Sequence, residues 1–332
     1  MTDVVDILST ECEPPKFVAK HLILQQGLTL VTGGVGSGKT ILALHIALSI
    51  ANGIPVAGQF SVDSAAGPVL YLNGEMTRSI LRLYVDQAVR GLDRPTPRGR
   101  FYFEGADGFA EFKFNSGGCE RLGELVGRIA PSVIIFDTQR ALFDIDENDA
   151  AEVRRAFNFI RRLCKSFGCA AMVAHHLRKI GTTSNSDRER VSGSSDIIAN
   201  VDIHLALRNR DGRPFHSLML GKTRAPIDGV FVGTEWPIEA RLDGNPPRSI
   251  ILAHKPTSRE ASANRIADEE SAILELLNSG GSMTIEALGA SSGNRKRAFE
   301  LLCKAGSIID SGKAGRKTLY GLPLQSGERT RE

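Results

Sequence analysis

A glycine-rich segment near the start of the chain constrains the fold more than any other feature. It reads Gly33-Gly34-Val35-Gly36-Ser37-Gly38-Lys39-Thr40 and satisfies the Gly-x4-Gly-Lys-Thr spacing of the Walker A motif. An apolar strand is predicted just before it, over 28–31, and an apolar helix just after it, over 41–50. This order predicts a loop whose backbone N–H groups surround phosphate oxygens at a helix N-terminus.

The end of this loop carries two side chains suited to a nucleotide. Lys39 supplies a positive charge for the β- and γ-phosphates, and the hydroxyl of Thr40 can bind Mg²⁺. An ordinary glycine turn would leave this Lys-Thr pair unexplained. We therefore predict that the segment binds ATP and Mg²⁺. The predicted nucleotide-binding residues are Gly33, Gly34, Val35, Gly36, Ser37, Gly38, Lys39, Thr40 and Ile41.

Two later apolar runs are each followed by a carboxylate. Residues 69–72 precede Asn73-Gly74-Glu75, and residues 133–136 precede Asp137. Parallel strands of open α/β folds present their carboxyl ends to the ligand, so Glu75 is our candidate general base. The alternative is an acid favoured by the dipole of the helix that follows. Asp137 completes a Walker B pattern and is predicted to support Mg²⁺, because a buried carboxylate needs a cation or donors.

A further buried strand is predicted over 169–174 and ends in His175-His176. A histidine at this edge can donate to a γ-phosphate, although a structural pair is the alternative. The segment after it, 178–193, is polar and basic and has no apolar period. Its cations can neutralise the phosphates of a threaded DNA strand, or they are simply solvated. These cations are Arg178, Lys179, Arg188 and Arg190.

Two more strands, predicted over 203–207 and 217–220, lead to Gly221-Lys222-Thr223-Arg224. Lys222 and Arg224 are two residues apart and so project on one side of an extended segment. We predict that they reach the nucleotide of a neighbouring subunit, where such residues stabilise charge on the transferring phosphoryl group. Exposed charges on an edge strand are the alternative.

The last part of the chain predicts a small second domain after a polar linker over 254–268. Helices are expected over 272–278, over 284–288 and after Ser292, followed by a hairpin that turns at 311–316. Three helices and a hairpin predict a winged helix-turn-helix, although such a domain can also serve protein contacts. Its DNA-contacting residues would be Asn294, Arg295, Lys296, Arg297, Lys313, Arg316 and Lys317.

Composition adds few constraints. The formal net charge of +3 is too small to indicate nucleic-acid binding by itself, so the basic clusters must be argued locally. The five cysteines have no C-x-x-C spacing, and the longest apolar stretch, 41–51, is too short to span a bilayer. The acidic start lacks the pattern of a secretory signal. We expect a cytoplasmic protein without a membrane partner.

Residues 20–240 resemble the RecA-like, AAA-type ATPases of the plasmid RepA replicative helicase group. The resemblance rests on the Walker A loop, the strand ends at Glu75 and Asp137, the stretch His175-His176-Leu177-Arg178-Lys179, and the Lys-Thr-Arg segment. It implies an α/β fold with a RecA-like core and a largely parallel central sheet. It also implies a homo-hexameric ring in which Glu75 activates water, His175 or His176 senses phosphate, and Lys222 and Arg224 act in trans.

The expected domain boundaries are a lead-in over 1–21, the ATPase over 22–253, the linker over 254–268, the winged helix over 269–324 and a tail over 325–332. Two functions remain open. One is a helicase with single-stranded DNA in its channel and duplex at the winged helix. The other is a DNA-bound ATPase that acts as a recombination, loading or regulatory switch without unwinding.

Overall fold

The computed structural model describes most of the chain as two compact units. The described residues are 14–109, 116–138, 149–176, 195–208, 217–227, 229–244, 247–254 and 258–323. Contacts between Cα atoms divide the chain into Met1–Lys255 and Pro256–Glu332, and each unit is described by itself. Within the described residues, no helix is both long enough and apolar enough to cross a membrane.

Strands and helices alternate through most of the first unit. The strands are β1 (Phe17–Ala19), β2 (Ile23–Leu24), β3 (Leu28–Gly33), β4 (Val69–Asn73), β5 (Phe101–Glu104), β6 (Val133–Asp137), β7 (Ala170–His176), β8 (Ile203–Arg208), β9 (Ser217–Thr223), β10 (Glu235–Asp243), β11 (Ser249–His254), β12 (Ile309–Ala314) and β13 (Lys317–Gly321). The helices are α1 (Lys39–Asn52), α2 (Arg78–Gly91), α3 (Ala106–Phe109), α4 (Ser116–Ile129), α5 (Ala150–Phe167), α6 (Ser195–Ala199), α7 (Ser258–Gly280) and α8 (Gly293–Lys304).

Nine strands form one large sheet in the order β11-β10-β9-β8-β3-β7-β6-β4-β5. The six strands from β8 to β5 pair in parallel, and β9, β10 and β11 continue the sheet in antiparallel pairing. The predicted α/β fold with a largely parallel central sheet is therefore confirmed. The strand that ends in Asp137 does not lie beside β3, because β7 lies between them and brings the two histidines next to the glycine loop.

The sheet buries apolar side chains on both faces. On β3, Leu30 packs into one hydrophobic core and Val31 into the other, as do Ile134 and Ile135 on β6. Helices α1 and α2 cover the face of Val31 and Ile135. Helices α4 and α5 cover the face of Leu30 and Ile134. Burial on both sides explains why the central strands read as continuous apolar runs, as parallel strands between two helix layers must.

The second unit contains α7, α8 and the hairpin β12–β13, which surround a core that includes Ile273, Phe299 and Leu302. Two expectations were wrong here. Residues 258–268 belong to α7 and are not a linker, because no glycine or proline interrupts the chain between Ser258 and Ser279. Residues 284–288 form a hydrogen-bonded turn and not a helix, because the bond from Leu288 N–H to Thr284 O is not followed by further bonds of the same i to i−4 spacing.

Candidate active site

The residues predicted to bind phosphate and metal, the candidate base and the two histidines meet at the carboxyl edge of four parallel strands. Strands β3 and β7 end side by side, with Gly33 paired to His176. Strands β4 and β6 also end side by side, with Asn73 paired to Asp137. This edge is where open α/β sheets bind ligands, so the fold gathers the residues that the sequence separates.

The glycine loop joins β3 to α1 in a conformation that depends on its glycines. Gly36 and Gly38 have φ values of 70° and 91°, in the left-handed region that side chains rarely adopt. A Cβ at Gly33 would collide with the Oγ of Ser37. The loop leads directly into the N-terminus of a 14-residue helix, which is a site suited to phosphate.

Lys39 lies folded back against its own loop. Its Nζ donates to the carbonyl oxygens of Gly33 and Gly34, at 3.0 and 2.9 Å, and lies 3.1 Å from Nδ1 of His176. Burial lowers the pKa of Lys39, while the charges of Asp137 and Glu75 oppose that change. A phosphate would therefore compete with backbone carbonyls for this ammonium group.

Asp137 is fully buried at the end of β6. Its Oδ2 accepts hydrogen bonds from Tyr71 Oη at 2.5 Å and from Asn73 Nδ2 at 2.9 Å. Burial raises the pKa of Asp137, whereas hydrogen bonds from the hydroxyls of Tyr71 and Thr40 lower it. The second oxygen, Oδ1, is buried and has no donor in hydrogen-bond geometry among the described residues. This oxygen and the neighbouring Thr40 hydroxyl fit Mg²⁺, which takes few protein ligands beside nucleotide phosphates.

Glu75 lies in the turn that follows β4. Its Oε1 accepts from Thr138 Oγ1 at 2.7 Å and lies 3.2 Å from Nε2 of His176. The hydrogen bond with His176 is the main reason that the pKa of Glu75 is lowered to about 2, and the Thr138 hydroxyl adds to it. Thr77, two residues after Glu75, caps α2 with its own side chain. The Glu75 side chain therefore lies at the carboxyl edge of the sheet and is not the cap of that helix.

The two adjacent histidines differ in position. His176 bridges Lys39 and Glu75, so it is the member of the pair that contacts predicted catalytic residues. His175 is buried on β7, beside Thr32 of β3. Successive residues of a strand point to opposite faces, and this alternation separates them.

Three residues of the site belong to no sequence motif and were not predicted. Tyr71 and Asn73 hold Asp137, Asn73 also accepts from the N–H groups of Glu75 and Met76, and Thr138 holds Glu75. Their sequence signal was only their place beside the predicted acids. Contacts across neighbouring strands, which depend on strand order, identify them.

Lys222 and Arg224 lie towards the opposite end of the sheet from the glycine loop, because β9 runs antiparallel and Thr223 pairs with Ile203 at the start of β8. Lys222 Nζ donates to the carbonyl oxygens of Ile198 and Ala199, at 2.6 and 3.1 Å. Arg224 pairs with Asp202 at 3.1 Å and also donates to Ala199 O. Both cations are thus held at the end of α6 in this conformation.

The predicted DNA-binding residues fall into two groups. Arg178, Lys179, Arg188 and Arg190 lie outside the described residues. In the second unit, Arg295 pairs with Glu269 at 3.4 Å, Lys296 lies 3.9 Å from Glu300, and Lys317 lies 3.4 Å from Glu286. The remaining predicted residues of that unit are the half-buried Asn294 and the exposed Arg297, Lys313 and Arg316.

A Walker A loop, a buried Walker B aspartate and a glutamate at the carboxyl ends of parallel strands in one sheet define the class of the first unit. It is a P-loop ATPase of the RecA-like kind.

The family follows from comparison with known proteins. Residues 1–182 match the model of the AAA_25 family, an AAA domain, and the chain belongs to this family. No curated protein matches the chain significantly. Among solved structures, a KaiC-like protein from the hyperthermophilic archaeon Pyrococcus horikoshii is similar, with 14% identity and a TM-score of 0.49. That likeness covers 73% of this chain and 100% of the archaeal one.

Proposed function

We propose that this chain hydrolyses ATP with Mg²⁺ and applies the energy to DNA, as a ring helicase similar to the plasmid RepA group. One observation carries the catalytic part of the proposal. Lys39, His176 and Glu75 form a hydrogen-bonded chain at the glycine loop, with Asp137 two strands away at the same sheet edge. A lysine that can bind phosphate, an acid that can bind the metal ion and a candidate base therefore lie around one loop.

In this proposal each side chain has a separate task. Lys39 and the loop N–H groups bind the β- and γ-phosphates, and Thr40 and Asp137 hold the metal ion. Mg²⁺, when bound, neutralises charge that develops on the phosphate oxygens. Glu75 is ionised at neutral pH and accepts the proton of the attacking water.

The catalytic proposal is tested with two substitutions and a matched control. Lys39→Ala should abolish nucleotide binding and turnover. Glu75→Gln should keep ATP binding and reduce turnover by about 10²–10⁴-fold, the usual contribution of a general base. Glu124→Gln, an identical change at an exposed position of α4, should leave both unchanged. Wild-type turnover by Glu75→Gln would show that another group is the base.

The ring part of the proposal rests on where Lys222 and Arg224 lie, at and just after the end of β9. Lys222 pairs with His204, which pairs with Leu30, three residues before Gly33. Three residues of strand are about 10 Å, and Lys222 is also two strands away from β3. With Arg224 still farther along, these cations are better placed to act on the nucleotide of another copy than on their own.

The DNA part of the proposal is supported by the second unit, where α8 begins with basic residues and the hairpin carries others. Met283 also forms a bridge with Tyr320 of β13, as a third strand would in a winged helix. Because Arg295 is already paired with Glu269, exposed Arg297 is the sharper residue to test. In the full chain, Arg297→Ala should weaken duplex binding and reduce its dependence on salt.

Lys304→Ala is the matched control, since it removes an exposed charge from the other end of α8. Equal duplex binding by both variants and the wild type would assign this unit to protein contacts.

Unwinding of a forked duplex then distinguishes a motor from a DNA-bound switch. A motor separates the strands in an ATP-dependent reaction, whereas a switch hydrolyses ATP and leaves the fork paired.

A further inference from the structure

We propose that Thr138 is a positioning residue for hydrolysis, and that its hydroxyl holds one oxygen of the Glu75 carboxylate so that the other oxygen faces the reacting water. The inference rests on the proposed role of Glu75 as the general base. It concerns a residue that belongs to neither Walker motif.

The bond between Thr138 and Glu75 is well placed for this task. Thr138 follows directly after the last residue of β6 and is 2% exposed, so its hydroxyl has a fixed position. Its Oγ1 donates to Glu75 Oε1 at 2.7 Å. The backbone of Glu75 is fixed as well, because Asn73 Oδ1 accepts from the N–H groups of Glu75 and Met76 at 3.0 and 2.7 Å. Together these bonds fix the turn that follows β4 and the direction of the Glu75 side chain.

Both donors to Glu75 use the same oxygen. The ammonium group of Lys39 can only donate, so Nδ1 of His176 accepts and Nε2 carries the hydrogen that is donated to Oε1. Among the described residues, Oε2 of Glu75 accepts no hydrogen bond. The carboxylate is therefore held on one side and has its second oxygen available for a water proton.

The two donors differ in how they respond to nucleotide. His176 is oriented by Lys39, and Lys39 must leave the carbonyl oxygens of Gly33 and Gly34 to reach a phosphate. The partner of His176 therefore changes when ATP binds. Thr138 has no bond to a phosphate-binding side chain, so its bond to Glu75 can persist through the reaction. This difference assigns the lasting positioning role to Thr138.

The expected cost of losing the hydroxyl is catalytic. A carboxylate that is free to rotate spends less time aimed at the water, and misplacement of a reacting group slows the chemical step. Nucleotide affinity should change little, because Thr138 does not line the glycine loop. A hydroxyl that donates to a carboxylate also favours its charged form, so removing it should raise the kinetic pKa of the base.

The test compares three variants in the full-length protein. Thr138→Val keeps the shape and removes the hydroxyl, Thr138→Ala removes it with less bulk, and Thr138→Ser retains it. We expect the Val and Ala variants to lose about ten-fold in kcat, the effect of one hydrogen bond to a charged group. Their affinity for a non-hydrolysable ATP analogue should stay within about two-fold of wild type. The acid limb of their kcat profile should move to higher pH, and Thr138→Ser should restore both properties.

Three results would overturn the inference. The first is wild-type kcat in Thr138→Val or Thr138→Ala while Glu75→Gln is inactive. The second is equal loss in the Ser and Val variants. The third is a parallel loss of analogue binding and kcat, which indicates a structural role after β6. Normal hydrolysis by Glu75→Gln is a separate outcome, because it refutes the proposed base and removes the premise.

Discussion

The antiparallel pairing of β8 with β9 contains an irregularity whose cost can be worked out. His204 pairs with Lys222 and Leu205 pairs with Leu220, so Gly221 is an extra residue in β9, as in a β-bulge. A Cβ added at Gly221 would lie 3.0 Å from Cε1 and 3.2 Å from Cγ of the His204 ring, and closer still to Nδ1. Glycine is therefore required here by close approach of the ring.

The ring of His204 has little room to move away from a Cβ added at Gly221. It is completely buried, and its Nε2 lies 2.9 Å from the hydroxyl of Thr32, the residue before the glycine loop. Gly221→Ala forces either an overpacked site, at a cost of about 1–3 kcal/mol, or loss of that hydrogen bond, at about 1 kcal/mol. If both occur, the total is about 2–4 kcal/mol. Each kcal/mol corresponds to about 2–4 °C in Tm for a domain of this size.

The assay is thermal unfolding of the wild type and four variants: Gly221→Ala, His204→Ala, the double variant of these two, and Gly123→Ala. Gly221→Ala should lower Tm by several degrees, and the same substitution should cost little in a His204→Ala background, where the ring is gone. Gly123→Ala is the matched control, because its Cβ would meet no atom within 4 Å on α4 and should stabilise that helix by about 0.5–1 kcal/mol. A Tm for Gly221→Ala within 1 °C or so of wild type would refute the packing argument.

Two further predictions concern Glu75 and Arg224. The lowered pKa of Glu75, about 2 against its usual 4.5, stabilises the fold above about pH 4.5, and this contribution is lost as pH falls towards 2. Glu75→Gln should therefore show a shallower loss of urea stability between pH 4.5 and 2, with a modest effect because the side chain is half exposed; an unchanged acid slope would contradict it. In mixtures, Lys39→Ala and Arg224→Ala subunits should partly restore each other's ATPase activity, whereas full activity of isolated monomers would exclude action in trans.

Local sequence was sufficient for much of the first unit. The glycine loop has an order of glycines, Lys39 and Thr40 that few other structures require, and the buried strands before Glu75 and Asp137 are continuous apolar runs. These features depend on neighbouring residues alone. The predicted strands at β4, β6, β7, β8 and β9 were confirmed for the same reason.

The local sequence pattern predicted the helices of the second unit less well. The polarity of residues 258–268 indicated a linker, but a helix can be polar on its solvent side, and α7 extends through them. The opposite error occurred at 284–288, where a short apolar pattern forms only a turn. A polar composition does not by itself exclude a helix, and an apolar spacing over five residues does not by itself establish one.

Sequence by itself determined which chemical groups this protein carries and the strand ends on which they lie. Tertiary structure alone decided which groups touch: His176 contacts Lys39 and Glu75 while His175 is buried elsewhere, and Thr138 holds the candidate base. The order of strands in the sheet sets these contacts, because β7 lies between β3 and β6 although it follows both in the chain. Hydrogen bonds between residues as far apart as Glu75 and His176 arise from that order, and no local periodicity encodes it.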